Sequence, residues 1–230
     1  WRSVFADKPG NKRVAAFNWI IANRPLDIIA SRTRLTDTRS PFPLFSGTVS
    51  DKSVLHAAEI PRDVAEHYRD LFIHKLPGPM LERTAALFLD GFLFAVIGLN
   101  PNQYNGSSGK QRASQLTKGR PMYITFAFSV PHPVYVRLHK LTLMCLRASW
   151  FWQTTLARHN LFSVLGVPSV VRTTMLTYHP ENKTARGVLK LLSREQQPDG
   201  TYKLLYEGTV IQQLPQDTLN EWMLKWIPKS

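Results

Sequence analysis

Two apolar runs, Arg83 to Leu89 and Phe92 to Leu99, are joined by Asp90-Gly91. That dipeptide suits the left-handed conformations of a two-residue hairpin, so the runs read as neighbouring antiparallel strands. A second hairpin is expected from Val188–Arg194 and Thr201–Glu207, linked through Gln196, Pro198, Asp199 and Gly200. Two hairpins make a sheet that is mixed and largely antiparallel, not all parallel.

Helical periodicity surrounds these strands. Pro61 opens a helix running to about Lys75, with Ala65, Tyr68, Leu71 and Phe72 on its apolar side and Pro77-Gly78-Pro79 as its stop. Met122 to Val130 reads as a strand broken by Pro131-His132-Pro133. A long helix is expected from Arg137 to Arg158, then a strand from Ser169 to Tyr178 and a terminal helix from Leu219 to Ile227. From residue 61 the order is helix, three strands, helix, three strands: an α/β chain of the α+β kind, with a central sheet flanked by helices. Lys12 to Asn23 reads as a separate helix and Ser31 to Pro43 as a polar linker. These give an N-terminal helix and basic arm over 1–45 and a main domain over 46–230.

Charge narrows the function. The chain has 29 Lys and Arg against 16 Asp and Glu, a formal charge of +13. Between Asp90 and Glu181 there is no acidic residue, while Lys110, Arg112, Lys118, Arg120, Arg137, Lys140, Arg147, Arg158 and Arg172 fall there. Ordinary solvated faces mix both signs, so this span reads as a surface for phosphates. It also cannot supply a carboxylate base or a carboxylate metal ligand. A single cysteine, Cys145, excludes a disulfide framework and a cysteine-based zinc module. No run of eighteen uncharged apolar residues occurs, so no membrane span is expected. Trp1-Arg2-Ser3 does not read as a secretory start, and a cytoplasmic location is expected, that of the host cell if the chain is phage-encoded.

The element order resembles the GCN-related N-acetyltransferase (GNAT) superfamily, in which a central strand feeds a helix whose N-terminus holds the pyrophosphate of coenzyme A. Here Arg137-Leu138-His139-Lys140-Leu141-Thr142 falls where that family places Arg or Gln, two residues, Gly, one residue, then Gly or Ala. The arginine matches and both glycines do not. Arg137-Leu138-His139-Lys140-Leu141, with 173–180 (TTMLTYHP) and 185–191 (ARGVLKL), is also similar to phage DNA-modification proteins of the Mom type. Those are divergent GNAT-fold enzymes that convert adenine in phage DNA to a carbamoylmethyl derivative, which evades restriction. The similarity spans roughly residues 55 to 207.

The resemblance implies a transferase with acetyl-coenzyme A or another acyl donor bound by Arg137, Leu138, His139, Lys140 and Thr142. It implies a histidine catalyst near the first domain helix, with iron as a candidate partner, and His74 is the residue chosen. His67 lies about 10 Å away along a helix, too far to share one metal. Tyr178 and Tyr206 are candidates to protonate the departing thiolate, and His179 ends the strand where such a site lies. Double-stranded DNA is the expected partner, with the target base flipped out. Tyr104, Lys110, Arg112, Lys118, Arg120 and Arg186 are the expected nucleic-acid contacts. The rivals are a non-catalytic basic DNA-binding or antirestriction protein, and a coenzyme A-dependent N-acetyltransferase acting on transfer RNA or a small amine. Oligomeric state, a dimer among the options, is left open.

Overall fold

The computed structural model describes residues 42–65, 68, 83–100, 121–156, 167–181 and 184–227. Seven strands form one sheet: β1 (Leu55–Glu59), β2 (Arg83–Leu89), β3 (Phe92–Asn100), β4 (Pro121–Ser129), β5 (Val170–Thr177), β6 (Lys190–Gln196) and β7 (Tyr202–Thr209). Their spatial order is β1-β2-β3-β4-β5-β7-β6. Every pairing is antiparallel except β4 with β5. The fold is the α+β arrangement expected, a mostly antiparallel sheet flanked by helices.

The first hairpin forms as its sequence dictates. Asp90 and Gly91 both take positive φ, 52° and 82°, and β2 pairs with β3 on either side. The Asp90 carboxylate also accepts the amide of Val54 at 2.7 Å, tying the turn to the entry of β1. β1 itself carries too little apolar sequence to stand out. Only five residues long, it alternates buried Leu55 and Ala57 with exposed His56.

Two apolar clusters lie on opposite faces of the sheet. The larger holds Leu87, Ile97, Met122, Ile124 and Val171 against helix α1 (Leu138–Arg147), helix α2 (Ser149–Leu156) and helix α3 (Pro215–Trp226). The smaller holds Val96, Phe126 and Phe128 against Ile60, Ala65 and Tyr68, from the chain around helical residues 62–65 and 68. β4 changes allegiance partway. Gly98 pairs with Phe126 but Leu99 with Ile124, so Thr125 is an extra residue, a bulge. Met122 and Ile124 therefore face α1, while Phe126 and Phe128 face the other cluster.

The single long helix expected from Arg137 to Arg158 is two helices among the described residues. Ala148 is extended, with φ −91° and ψ 133°. The segment after β7 pulls it out of the helix: Ile211 donates to the Arg147 carbonyl at 2.7 Å and Ser149 donates to the Ile211 carbonyl at 2.9 Å. Helical periodicity continues across the break, so pattern alone misses it. The terminal helix begins at Pro215 rather than Leu219, with proline in the first turn, where its missing N–H costs nothing. Trp150, Trp152 and Trp222 are buried core, as is Cys145, whose thiol burial pushes upward. The expected helix of 12–23 and the loop of 100–121 lie outside the described residues, apart from the two strand ends Asn100 and Pro121.

Candidate functional site

The parallel pair is short. β4 and β5 are in register from Pro121↔Val170 to Ile124↔Thr173 and no further, although β4 continues to Ser129 and β5 to Thr177. β4 stays paired to β3 beyond that point, and β5 to β7. The strands thus diverge into a V, and the edges they turn toward each other are not paired to each other. The bulge at Thr125 lies at the vertex. Thr125 Oγ1 is buried without a hydrogen-bond partner, over Gly98. A Cβ on Gly98 would lie 2.6 Å from that oxygen and 2.5 Å from the Phe126 ring, so glycine is what admits the bulge.

From the open end of the V, β4 leads through a turn into α1. Arg137 is the N-cap of α1 and is exposed; no side chain caps the helix and its first turn holds no acidic residue. The positive end of the helix dipole favours an anion there, while the Leu138 and Lys140 amides donate to the Tyr135 and Arg137 carbonyls at 3.1 and 2.9 Å. Arg186 is exposed on the turn packed beside it, since its carbonyl accepts a hydrogen bond from Lys140 Nζ. Gly187, at φ 85°, follows it.

Several residues expected to hold the donor are placed elsewhere. Leu138 and Thr142 are core-facing, 1% exposed each, and the Thr142 hydroxyl turns back to the Leu138 carbonyl at 3.3 Å. They fall inside the helix because α1 begins at Leu138, one residue after the matching arginine. Lys140 is buried too, with its ammonium behind the turn on the Arg186 carbonyl, not on the solvent side. Burial, then Arg137, lowers its pKa to about 8. His139 is partly buried. Desolvation first, then Lys140 and Arg137, hold its pKa down to about 4, against the pull of the Thr184 and Val136 carbonyls. At neutral pH it is an uncharged ring and adds no positive charge. Among the described residues Arg137 and Arg186 are exposed cations of this end.

Tyr178 and His179 are exposed just past the end of β5, and the His179 amide donates to Thr177 Oγ1 at 3.1 Å. Tyr206 differs: it is 3% exposed in the α1-side core, beside Thr173 in register, and burial raises its hydroxyl pKa. His74, Tyr104, Lys110, Arg112, Lys118 and Arg120 lie outside the described residues. Among the described residues no group of three or more His, Cys, Asp and Glu could hold a metal ion, so nothing here supports iron. No described helix is long and apolar enough to cross a membrane.

Sequence reasoning missed the polar row beneath the vertex. Tyr123, Arg172 and Glu207 are register partners on β4, β5 and β7. Arg172 Nε donates to Glu207 Oε2 at 2.7 Å, with the arginine 1% exposed. Tyr123 is hydrogen-bonded to Thr174, the first β5 residue beyond the ladder, and burial raises its pKa. An arginine inside the apolar run Val170-Val171-Arg172 was the available signal. His132, between two prolines, was also missed.

A central parallel pair that diverges beside a helix N-terminus, in a sheet where β7 is inserted between β5 and β6, is the frame of an acyltransferase-type GNAT domain. Residues 52–226 match the phage GNAT-like domain family, and the chain belongs to that family. GNAT domains generally use acetyl- or acyl-coenzyme A. Among solved structures, an uncharacterized protein from Bacillus halodurans is similar over 81% of this chain and 99% of its own, at 10% identity and a TM-score of 0.44. No curated protein matches the chain.

Proposed function

We propose that the protein is an acyltransferase acting on the exocyclic amine of adenine in DNA, the target of the Mom-type proteins it resembles: the amine nitrogen bonds to the carbonyl carbon of a coenzyme A-type thioester, the carbon–sulfur bond breaks, and the amine's proton leaves with the thiol. The observation that carries the transferase reading is the V between β4 and β5, whose facing edges stop pairing at Ile124 and Thr173. Backbone N–H and C=O groups along such edges suit the amide-bearing arm of coenzyme A. At the open end, the exposed side chains of Arg137 and Arg186 and the positive end of the α1 dipole suit its phosphates. Coenzyme A supplies an acyl group activated as a thioester. At the vertex, Tyr123 keeps its proton at neutral pH and holds its hydroxyl on Thr174. Tyr178 and His179 stand at the far end of β5, open to an incoming acceptor.

The nucleic-acid acceptor is supported by the charge of +13 and the acid-free span from Asp90 to Glu181. Among the described cations of that span Arg137 is exposed, while Lys140 and Arg172 are buried, so the support is the excess of charge itself, for which a transferase of a small amine has no use. An adenine amine is a weak nucleophile because its lone pair is delocalised into the ring, and it must leave the stack to react.

The test is mass spectrometry of nucleosides from DNA co-expressed with the protein, with iron present and absent. A new adenine adduct, lost with His74→Ala while DNA affinity holds, is expected. Stabilisation by acetyl-coenzyme A with no adduct on DNA would move the acceptor to transfer RNA or a small amine. Neither effect would leave a basic DNA-binding protein.

A further inference from the structure

The turn between β4 and α1 lacks the glycines that let a backbone wrap a pyrophosphate, yet it is tightly determined. Its organiser is His132, 5% exposed. Nδ1 accepts the amides of Val134 at 3.2 Å and Tyr135 at 3.1 Å. An Nδ1 that accepts twice carries no proton, so Nε2 is the N–H and donates to the Gly47 carbonyl at 3.0 Å. One ring thus fixes the turn from inside and ties it to the strand-like segment preceding β1.

The surroundings hold the ring in that state. Phe45 stacks on His132 with centroids 5.3 Å apart, Tyr135 lies on it at 4.8 Å, and Trp222 of α3 meets Tyr135 edge-on at 5.9 Å. The Tyr135 hydroxyl accepts the Val49 amide at 2.9 Å, and the Trp222 indole donates to the Arg137 carbonyl at 3.1 Å. Both ends of the turn, His132 and Arg137, are therefore anchored to different parts of the fold. Burial lowers the His132 pKa, which keeps Nδ1 an acceptor at neutral pH.

We propose that His132 is the positioning residue of the phosphate-binding turn: by accepting the Val134 and Tyr135 amides it sets the backbone that presents Arg137 and the start of α1 to the donor's pyrophosphate. The role rests on the donor reading above. It replaces glycine's freedom with a side-chain template, which explains how the turn can serve phosphate while carrying valine at 134 and 136. His132 touches no phosphate itself.

Two near-isosteric substitutions separate positioning from packing. In His132→Asn the amide oxygen falls where Nδ1 was, so the two acceptor bonds survive and the bond to Gly47 is lost. In His132→Gln the terminal amide reaches the Gly47 carbonyl and the acceptor position is empty. Coenzyme A binding is measured by calorimetry on the full chain, with thermal unfolding in parallel. Losing two backbone hydrogen bonds at the turn is expected to weaken coenzyme A binding about tenfold or more in His132→Gln, and His132→Asn stays within about threefold of wild type. Melting temperatures of the two variants are expected to agree within about 4 °C. Equal weakening in both variants, or affinity that follows melting temperature, overturns the positioning role. Variants that bind as wild type does overturn this role alone. A wild-type protein that fails to bind coenzyme A overturns the donor reading and this role with it.

Discussion

Arg172 and Glu207 face each other across β5 and β7, Nε to Oε2 at 2.7 Å, in the middle of a sheet whose other central side chains are mostly apolar. The arginine is 1% exposed and the glutamate 14%, so the pair is unequally desolvated. Removing either partner takes this ion pair from the other, and the deeper charge suffers more. Glu207→Leu is expected to cost about 3–5 kcal/mol in urea unfolding and Arg172→Met clearly less. The double variant is expected to recover most of the loss, because a well-packed apolar pair often matches a buried ion pair. Equal costs for the two single variants would show that the asymmetry of burial does not govern the site.

Gly98 and Gly208 give a second contrast. A Cβ at Gly98 meets the Phe126 ring and the Thr125 hydroxyl inside the bulge, whereas one at Gly208 meets Leu189 Cδ2 at 2.6 Å and the Arg147 stem at 2.9 Å. Leu189 is buried and the Arg147 stem is held by its guanidinium on the Val188 and Thr209 carbonyls, so both glycines are tightly enclosed, but only Gly98 lies at the V. Both Gly98→Ala and Gly208→Ala are therefore expected to lose about 1–3 kcal/mol, and Gly98→Ala alone to weaken coenzyme A binding. Chemical unfolding and calorimetry decide it.

Acid should weaken the fold through His139. Its pKa is near 6.5 in an unfolded chain and about 4 in the fold, so between those values the unfolded chain binds the extra proton. Stability holds above pH 6.5 and falls as pH drops toward 4, by roughly 3 kcal/mol at most. His132, also lowered by burial, adds in the same direction. His139→Leu is expected to flatten this part of the pH profile of unfolding. An unchanged profile would assign the acid sensitivity to other groups.

Arg137 and Arg186 are both exposed, so their loss should be felt by ligand and not by fold. Arg137→Gln with Arg186→Gln is expected to weaken coenzyme A about tenfold and to reduce its salt dependence, with thermal unfolding nearly unchanged. A large drop in melting temperature would make these side chains structural.

For DNA, Arg112→Ala with Lys118→Ala is expected to weaken binding at every sequence and to lower the salt slope by about two. A slope equal to wild type would place the phosphate contacts elsewhere on the chain.

The sequence was most legible where local chemistry decides structure. Asp90-Gly91 announced its hairpin, and β4, β5 and both strands of the second hairpin lie within two residues of where their patterns put them. It was least legible where distant segments decide. The break at Ala148 depends on Ile211, the insertion of β7 beside β5 leaves no trace in either strand, and the bulge at Thr125 is set by what lies across from it. At the candidate site the arginine and its helix start were readable. His132 was not, because a histidine between prolines looks like turn punctuation until its two nitrogens are seen to be engaged. Lys140 misled for the reverse reason: a cation at a helix start suggests solvent, and a neighbouring carbonyl drew it inward.

The stitch between Ala148 and Ile211 has a mechanical consequence. The chain leaving β7 is fastened to the helical layer before it enters α3, and α3 in turn grips the Arg137 carbonyl through Trp222. The end of β7 is thereby joined, through Ala148 and α3, to the Arg137 carbonyl at the mouth of the V.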